Sequence, residues 1–232
     1  MTPSNLEIAI IGGTGKEGRG IAFRWAFAGA NVTIGSREFA RAAERARSLN
    51  QILGEDRIRH AKNEEAISHA DIVVLAVPYD CAATTLTRYA KNFRPESILV
   101  DATVPLIGDR PTHYLESDGR SGSERLQPYV APSIHLVAAF KTISAYALFD
   151  PMSDAFADPT SIPQLDCDDF VASDSESAKS TIIEAMKLIE GLRPLDAGPL
   201  ENSRSIERLT ILIIALNRLN SIKTGRYRIV GI

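Results

Sequence analysis

Two short runs in this chain hold the residue types from which a chemical reading can start. The first, Ile8-Ala9-Ile10-Ile11-Gly12-Gly13-Thr14-Gly15-Lys16-Glu17-Gly18, places G-x-G-x-x-G directly after an apolar stretch. In such a loop Gly13 permits a tight turn, Gly15 lets the backbone approach a pyrophosphate, and Gly18 lets the next helix pack close to the strand. The helix N-terminus, which Lys16 and Glu17 lead into, then faces the negative charge of a dinucleotide. Glycines alone are a weak signal. Here a strand pattern precedes them, a helix pattern follows, and a second strand arrives about 20 residues on.

The second run, Ile34-Gly35-Ser36-Arg37-Glu38, closes that second strand, and Arg41 follows one helical turn later. An NAD site wants a carboxylate at this strand tip to accept the ribose hydroxyls. None stands there. The Ser36 hydroxyl and the planar Arg37 guanidinium, with Arg41 on the same side of the helix, suit a 2′-phosphate instead. NADP(H) is therefore the expected cofactor. The plainer alternative has Arg37 and Arg41 pairing with Glu38 or Glu44 on a solvated helix face.

The elements that must position these runs follow from periodicity. Short apolar segments at 7–11, 31–34, 58–60, 72–77, 97–101 and 134–138 alternate with helical patterns at 18–27, 38–53, 63–69 and 81–92. That alternation is the signature of βαβ units building a parallel sheet. The continuous apolar run Ile72-Val73-Val74-Leu75-Ala76-Val77 belongs to a strand covered on both faces. Residues 105–128 read as a polar loop with 118–123 its most mobile part, and 150–163 reads as the irregular boundary between two units. Beyond it come a strand at 167–172, a helix at 176–191, a strand at 194–196 and a long apolar helix at 203–220. Ser173, Asp174 and Ser175 are N-cap candidates and Gly191 a C-terminal stop. The expected fold is α/β: a Rossmann-type doubly wound parallel sheet over 1–148, with a smaller C-terminal α/β domain over 149–232 for substrate binding and dimerisation.

Bulk properties narrow the partners. The 232 residues are 44% hydrophobic and 24% charged with a net charge of -3, which suits a globular chain and provides no basic footprint for nucleic acid. No apolar run approaches a membrane span, and the N-terminus holds no signal-peptide core, so a cytoplasmic protein is expected. Cys81 and Cys167 and the four histidines have no ligand spacing, so no metal is expected.

At the residue level the chain resembles NADPH-dependent reductases of the deazaflavin coenzyme F-420. The likeness rests on Gly12-Gly13-Thr14-Gly15, Gly35-Ser36-Arg37, Lys62-Asn63-Glu64, Val77-Pro78 and Val104-Pro105. It is strongest in Gly191-Leu192-Arg193-Pro194-Leu195-Asp196-Ala197-Gly198-Pro199-Leu200, followed by Asn202-Ser203-Arg204 and Glu207. The resemblance implies hydride exchange between the nicotinamide of NADP(H) and the deazaflavin, with NADP contacts from Thr14, Gly15, Ser36, Arg37, Arg41, Val77, Val104 and Ala145. With the loop residues and Pro78, the expected cofactor set is Gly13, Thr14, Gly15, Lys16, Glu17, Ser36, Arg37, Arg41, Val77, Pro78, Val104 and Ala145.

The chain departs from the family pattern where characterised members carry a histidine and a proline, having Lys141 and Ser144 instead. Both positions border the ring-binding cleft by that resemblance. A lysine lowered in pKa by an apolar cleft would serve as acid in carbonyl or imine reduction, or anchor an anionic group of the substrate. The alternative is a lysine that reaches solvent or pairs with Asp101. Ser203 and Arg204 open the last helix, where Ser203 either holds a substrate anion or caps the helix. Lys141, Ser144 and Ser203 form the expected substrate set, with Lys141 the candidate catalytic residue. The stripe Ile206, Leu209, Ile213, Leu216 suggests a core or dimer face, so a homodimer is expected. Two other functions fit the same residues: an NADPH-dependent reductase of a small carbonyl or imine compound using Lys141, and a non-catalytic NADPH-binding regulatory protein.

Overall fold

Runs that are apolar on both faces must be covered on both faces, and the chain achieves this by laying helices on each side of one parallel sheet. The computed structural model describes residues 6–107, 110–114, 118–151, 153, 156, 160 and 162–232. In chain order the first half runs β1 (Glu7–Ile11), α1 (Lys16–Phe27), β2 (Asn31–Ser36), α2 (Phe39–Leu53), β3 (Ile58–Lys62), α3 (Asn63–His69), β4 (Ile72–Leu75), α4 (Tyr79–Tyr89) and β5 (Ile98–Asp101). After a hairpin of β6 (Leu106–Ile107) and β7 (Arg110–Tyr114) and a short helix α5 (Gly122–Leu126), β8 (His135–Ala138) completes the sheet.

The strand order is β3-β2-β1-β4-β5-β8. All pairings within it are parallel. The order reverses between β1 and β4, and in open α/β sheets ligands bind outside the carboxyl ends at that point. All four residues of β4 are buried, as the apolar run predicts. The strand ends at Leu75, two residues before the apolar run does, and Ala76 and Val77 beyond it line a cavity. On α2, Ala42, Ala46, Leu49 and Leu53 form the buried stripe, the spacing that puts one face of a helix on the sheet.

The C-terminal part comprises α6 (Ala145–Leu148), β9 (Cys167–Val171), α7 (Glu176–Met186), β10 (Leu192–Asp196) and α8 (Ser203–Leu219). Parallel β9 and β10 form a small sheet, and an antiparallel bridge between Ala138 and Ala172 joins it to the edge of the large one. Pro194 is tolerated in β10 because that strand has β9 as its one partner in the sheet. Ser175 caps α7 through the Ala178 amide. Gly191, with φ 78, serves the turn before β10 and not the helix end itself.

Arg24 ties α1 to α6 and the segment beyond: its guanidinium donates to the carbonyls of Leu148 (2.8 Å), Ala147 (2.9 Å) and Pro163 (2.7 Å). Trp25 Nε1 donates to the Ala185 carbonyl at 3.0 Å. One apolar core thus includes Phe23 and Trp25 of α1 and Ile182 and Met186 of α7.

The expectation of a polar loop over 105–128 is corrected. The segment folds into the β6–β7 hairpin and α5, and the expected mobile stretch 118–123 ends in a helix start. Ser121 accepts from the Glu124 amide while the Glu124 carboxylate accepts from the Ser121 amide. This capping box satisfies two end groups of the helix, and Ser121 and Ser123 are fully buried. Residues 108–109 and 115–117 of that segment, and part of 150–163, lie outside the described residues.

Candidate active site

The glycine loop between β1 and α1 makes its turn at Gly12, whose φ is 87 and whose Cβ, if it had one, would lie 2.4 Å from the Ala76 carbonyl oxygen. The sequence assigned the tight turn to Gly13, which has no positive φ but is pressed against Ile34. Gly18 fits as expected: a Cβ there would meet the Gly12 carbonyl at 2.6 Å, so its absence lets α1 close on the loop. Gly15 is the N-cap residue of α1 and provides no side-chain cap. The positive end of the α1 dipole is left for an anion.

This loop is one end of a cavity of about 470 Å³. Thr14 and Gly15 line that end, Ser36, Arg37 and Arg41 the other, and Val77 and Pro78 the wall beyond β4. Seven of the sequence-expected cofactor residues therefore share one cavity. Ser36 Oγ accepts from the Glu38 amide at 3.1 Å, which fixes the strand tip. Arg41 lies 3.3 Å from Glu38, with both side chains more than 60% exposed, so the pair holds Arg41 weakly. Arg37 makes no ion pair among the described residues and is exposed. The alternative of Arg41 pairing with Glu38 is thus present but leaves both guanidinium groups open to an incoming phosphate.

Sequence reasoning missed the opposite wall, formed by Asn63 at the start of α3 and by Asp80, Cys81, Thr84 and Arg88 of α4. Asn63 is 4% exposed. Its Nδ2 donates to the Tyr89 hydroxyl at 3.3 Å, while Oδ1 is buried without a hydrogen-bond partner. Gly35 has room for no side chain here, since a Cβ would come 2.8 Å from Asn63 Oδ1. An orphaned acceptor costs free energy unless a donor arrives. A ribose hydroxyl or an adenine amino group brings one, so the cavity fits the adenosine half of a dinucleotide. The Lys62-Asn63-Glu64 motif was the signal for this residue.

Gly13, Lys16, Glu17, Val104 and Ala145 do not line this cavity. Gly13 lies behind the loop. Glu17 stands in the first turn of α1, while Lys16, Val104 and Ala145 gather at the turn between β8 and α6: Lys16 reaches Tyr146, Val104 follows Thr103, whose carbonyl Lys141 meets, and Ala145 opens α6. There Phe140 adopts φ 57 with its ring buried against Trp25. The buried Asp169 of β9 braces the turn: it accepts from the Phe140 amide (2.5 Å), the Thr142 hydroxyl (2.7 Å) and the Thr142 amide (3.4 Å). Burial pushes the Asp169 carboxyl up from its ordinary range, with these hydrogen bonds opposing the shift. Ser144 caps α6 by accepting from the Tyr146 amide, and its hydroxyl donates to the Lys223 carbonyl at 2.6 Å. Lys16 donates to the Tyr146 hydroxyl at 2.9 Å, and the Lys16 and Lys223 ammonium groups both lie over the Tyr146 ring.

The expected substrate residues do not converge. The Lys141 side chain is completely buried and its ammonium is fully engaged: by Asp101 Oδ2 at 2.8 Å, by Glu207 Oε1 at 3.3 Å and by the Thr103 carbonyl. Asp101 also accepts from Ser123 Oγ and from Thr103, while Glu207 accepts from the Tyr114 hydroxyl and the Gly122 amide. Burial alone would lower the Lys141 pKa, but Asp101 and Glu207 outweigh it and leave it raised. That corrects the expectation of an ammonium weakened by an apolar cleft: the lysine sits between two carboxylates and ties β5, α5 and α8 together. Ser203 is also turned inward, its hydroxyl donating to the Leu200 carbonyl at 2.7 Å with no exposure.

Comparison with known proteins gives a consistent result. The family model for coenzyme F-420-dependent NADP oxidoreductases matches residues 7–105. An F-420-dependent NADP reductase of Methanothermobacter thermautotrophicus is 37% identical over 98% of this chain and 96% of its own length. The enzyme of that name from Methanocaldococcus jannaschii is 33% identical over 91% and 92% of the two chains. A crystal structure from Arthrobacter sp. FB24, assigned as a candidate F-420-dependent NADP-reductase, superposes with a TM-score of 0.77 over 98% of this chain and 100% of that one at 25% identity.

Proposed function

Since this chain belongs to the family of F-420-dependent NADP reductases, we propose that its cleft transfers a hydride between NADP(H) and the deazaflavin coenzyme F-420. The observation that carries the reading is the cavity at the β1–β4 switch point, with an uncapped helix start at one end and Ser36, Arg37 and Arg41 at the other. NADP(H), when bound, supplies or accepts the hydride at its nicotinamide ring.

The chain's own work is positional. Gly15 and the first turn of α1 hold the pyrophosphate, Arg37 and Arg41 the 2′-phosphate, and Asn63 the adenosine. Val77 and Pro78 pack beside the cofactor, and Val104 with the Phe140–Ala145 turn borders the nicotinamide. Two rings held face to face in a dry cleft need no acid–base triad. Lys141 acts in this reading as the buried cation that fixes α5 and α8 beside the cleft.

Among the described residues no helix is long and apolar enough to cross a membrane. We place the protein in the cytoplasm on its composition. A homodimer is supported by the apolar side of α8, where Leu212 is 50%, Leu216 40% and Leu219 81% exposed. Burying such a stripe against its own copy removes it from water.

Mixing the purified protein with NADPH and oxidised F-420 tests the reading. Bleaching of the deazaflavin at a rate proportional to protein is expected. Tight NADPH binding with no bleaching would refute it.

A further inference from the structure

Asn63 follows the last residue of β3 and opens α3. β3 is the edge strand beyond β2, with Ala61 opposite Gly35 and Lys62 opposite Ser36. The chain therefore leaves the sheet at Asn63 beside the strand tip that carries Ser36 and Arg37. All three residues line the same cavity. Across it stands α4, whose Cys81, Thr84, Thr85 and Arg88 recur at the spacing of a single helix face. Tyr89 lines this part of the cavity too and is 5% exposed.

The contacts of the Asn63 amide decide what it offers to a ligand. Nδ2 donates to the Tyr89 hydroxyl at 3.3 Å, so the donor side of the amide is engaged inside the protein. Oδ1 is the side left without a partner, in a residue that is 4% exposed. Any side chain at position 35 would close over that oxygen, since a Cβ there would stand 2.8 Å from it. Glycine keeps it clear. The amide thus presents a buried acceptor to the cavity and holds its donor back.

A dinucleotide with its pyrophosphate on α1 and its 2′-phosphate at Ser36 and Arg37 must lay its base in the space between the β2 tip and α4, against Asn63. Adenine bears acceptors at its ring nitrogens and a single donor, the 6-amino group; a 6-oxo purine carries an acceptor at that position instead. We propose that Asn63 selects the adenine base of the cofactor, its Oδ1 accepting from the 6-amino group, and that Tyr89 is a positioning residue that holds the amide in this orientation. The inference rests on the NADP(H) reading given above and names the determinant of the base within it. A 6-oxo purine sets oxygen against oxygen and leaves both unpaired. A site built to hydrogen-bond one group rejects an analogue lacking it far more strongly than an apolar pocket does.

The test compares NADPH with its reduced hypoxanthine counterpart, which differs only in an oxo group in place of the 6-amino group. Dissociation constants for both are measured on the whole protein by nicotinamide fluorescence. Contributions of the phosphates and their arginines cancel in the ratio. The adenine form should bind about tenfold more tightly, the cost of burying two acceptors face to face. Asn63→Leu removes the acceptor, so the ratio should fall to about one, chiefly through loss of NADPH affinity. Tyr89→Phe keeps the ring and frees the amide, so the ratio should fall part of the way; an unchanged ratio there overturns the positioning role. Equal affinity for the two dinucleotides in the unmodified protein would give Oδ1 to a ribose hydroxyl and overturn the proposal, and that measurement needs no variant to fold. A preference for the hypoxanthine form, which an amide presenting Nδ2 would produce, overturns it as well, as does an undiminished ratio in Asn63→Leu. If neither dinucleotide binds, the NADP(H) reading itself falls, and this inference with it.

Discussion

Replacing Lys141 by methionine separates a structural lysine from a catalytic one. The substitution keeps length and removes the ammonium, leaving Asp101 and Glu207, neither with any side-chain exposure, facing each other without a cation. Removing one partner of a buried pair costs about 3–5 kcal/mol, because the charge left behind stays desolvated. For a chain of this size about 1 kcal/mol moves the melting midpoint by about 2–4 °C, so Lys141→Met should lower it by roughly 6–20 °C. Urea unfolding followed by tryptophan fluorescence reads the same loss, since the single Trp25 is buried in the core. Adding Glu207→Gln removes one of the stranded charges. The double variant should therefore lose less than the two single variants summed, by about 0.5–3 kcal/mol. The raised pKa of Lys141 gives the pH course: its contribution is whole below the ordinary lysine value of 10.5 and fades only as pH climbs past it toward the folded-state value. If Lys141→Met unfolded at the midpoint of the parent protein while losing turnover and keeping NADPH affinity, the ammonium would be serving the substrate and the network argument would be wrong.

Other substitutions probe the cofactor cleft and the surface. Arg37→Glu places a carboxylate where NADP(H) brings a phosphate. Loss of a charge-assisted contact worth about 1.5–3 kcal/mol predicts at least roughly tenfold weaker NADP(H) binding, and the ratio of NADP(H) to NAD(H) dissociation constants should rise with it; an unchanged ratio would defeat the 2′-phosphate assignment. Asn63→Leu removes an acceptor that has no partner in the free protein. NADPH affinity should drop by about fivefold, while stability changes by no more than the one hydrogen bond to Tyr89, about 1 kcal/mol; a large stability loss with unchanged affinity would contradict the adenosine assignment. For Glu17 the folded-state value near 8 lies above the ordinary 4.5, so the native state holds a proton that the unfolded chain has lost between those limits. Its burial therefore lowers stability as pH rises through that window, and Glu17→Gln should gain in melting temperature over the parent protein more at pH 8.5 than at pH 5. Leu216→Glu, set in the exposed apolar side of α8, should turn a dimer into a monomer on size-exclusion chromatography with light scattering; a monomeric parent protein would dispose of the dimer.

What could be read in the sequence was what depends on near neighbours. The glycine loop, the Ser36–Arg37–Arg41 cluster and the alternation of strands and helices are local patterns, and they led to the parallel sheet and to one shared cavity. Even there the turn residue shifted from Gly13 to Gly12, because positive φ depends on how closely Ala76 approaches. The 118–123 stretch misled for a different reason: Asp, Gly, Arg and Ser suggest mobility by composition, but Ser121 and Glu124 have capping-box spacing and Glu207 receives the amides of α5 from far along the chain.

The buried charges show where local reading ends. Lys141 and Glu17 are both ionisable residues in segments assigned to the site, and nothing within a few positions of either tells them apart. Their partners do. Lys141 meets Asp101 forty residues away and Glu207 still farther on, so its charge is matched within the chain. Glu17 meets Asp169, a like charge, and no cation acts on it with comparable strength. A matched buried charge holds elements together, and removing it should cost stability first. An unmatched one costs stability as it stands. The same rule of charge balance assigns Lys141 to the fold, where its chemistry alone had suggested catalysis.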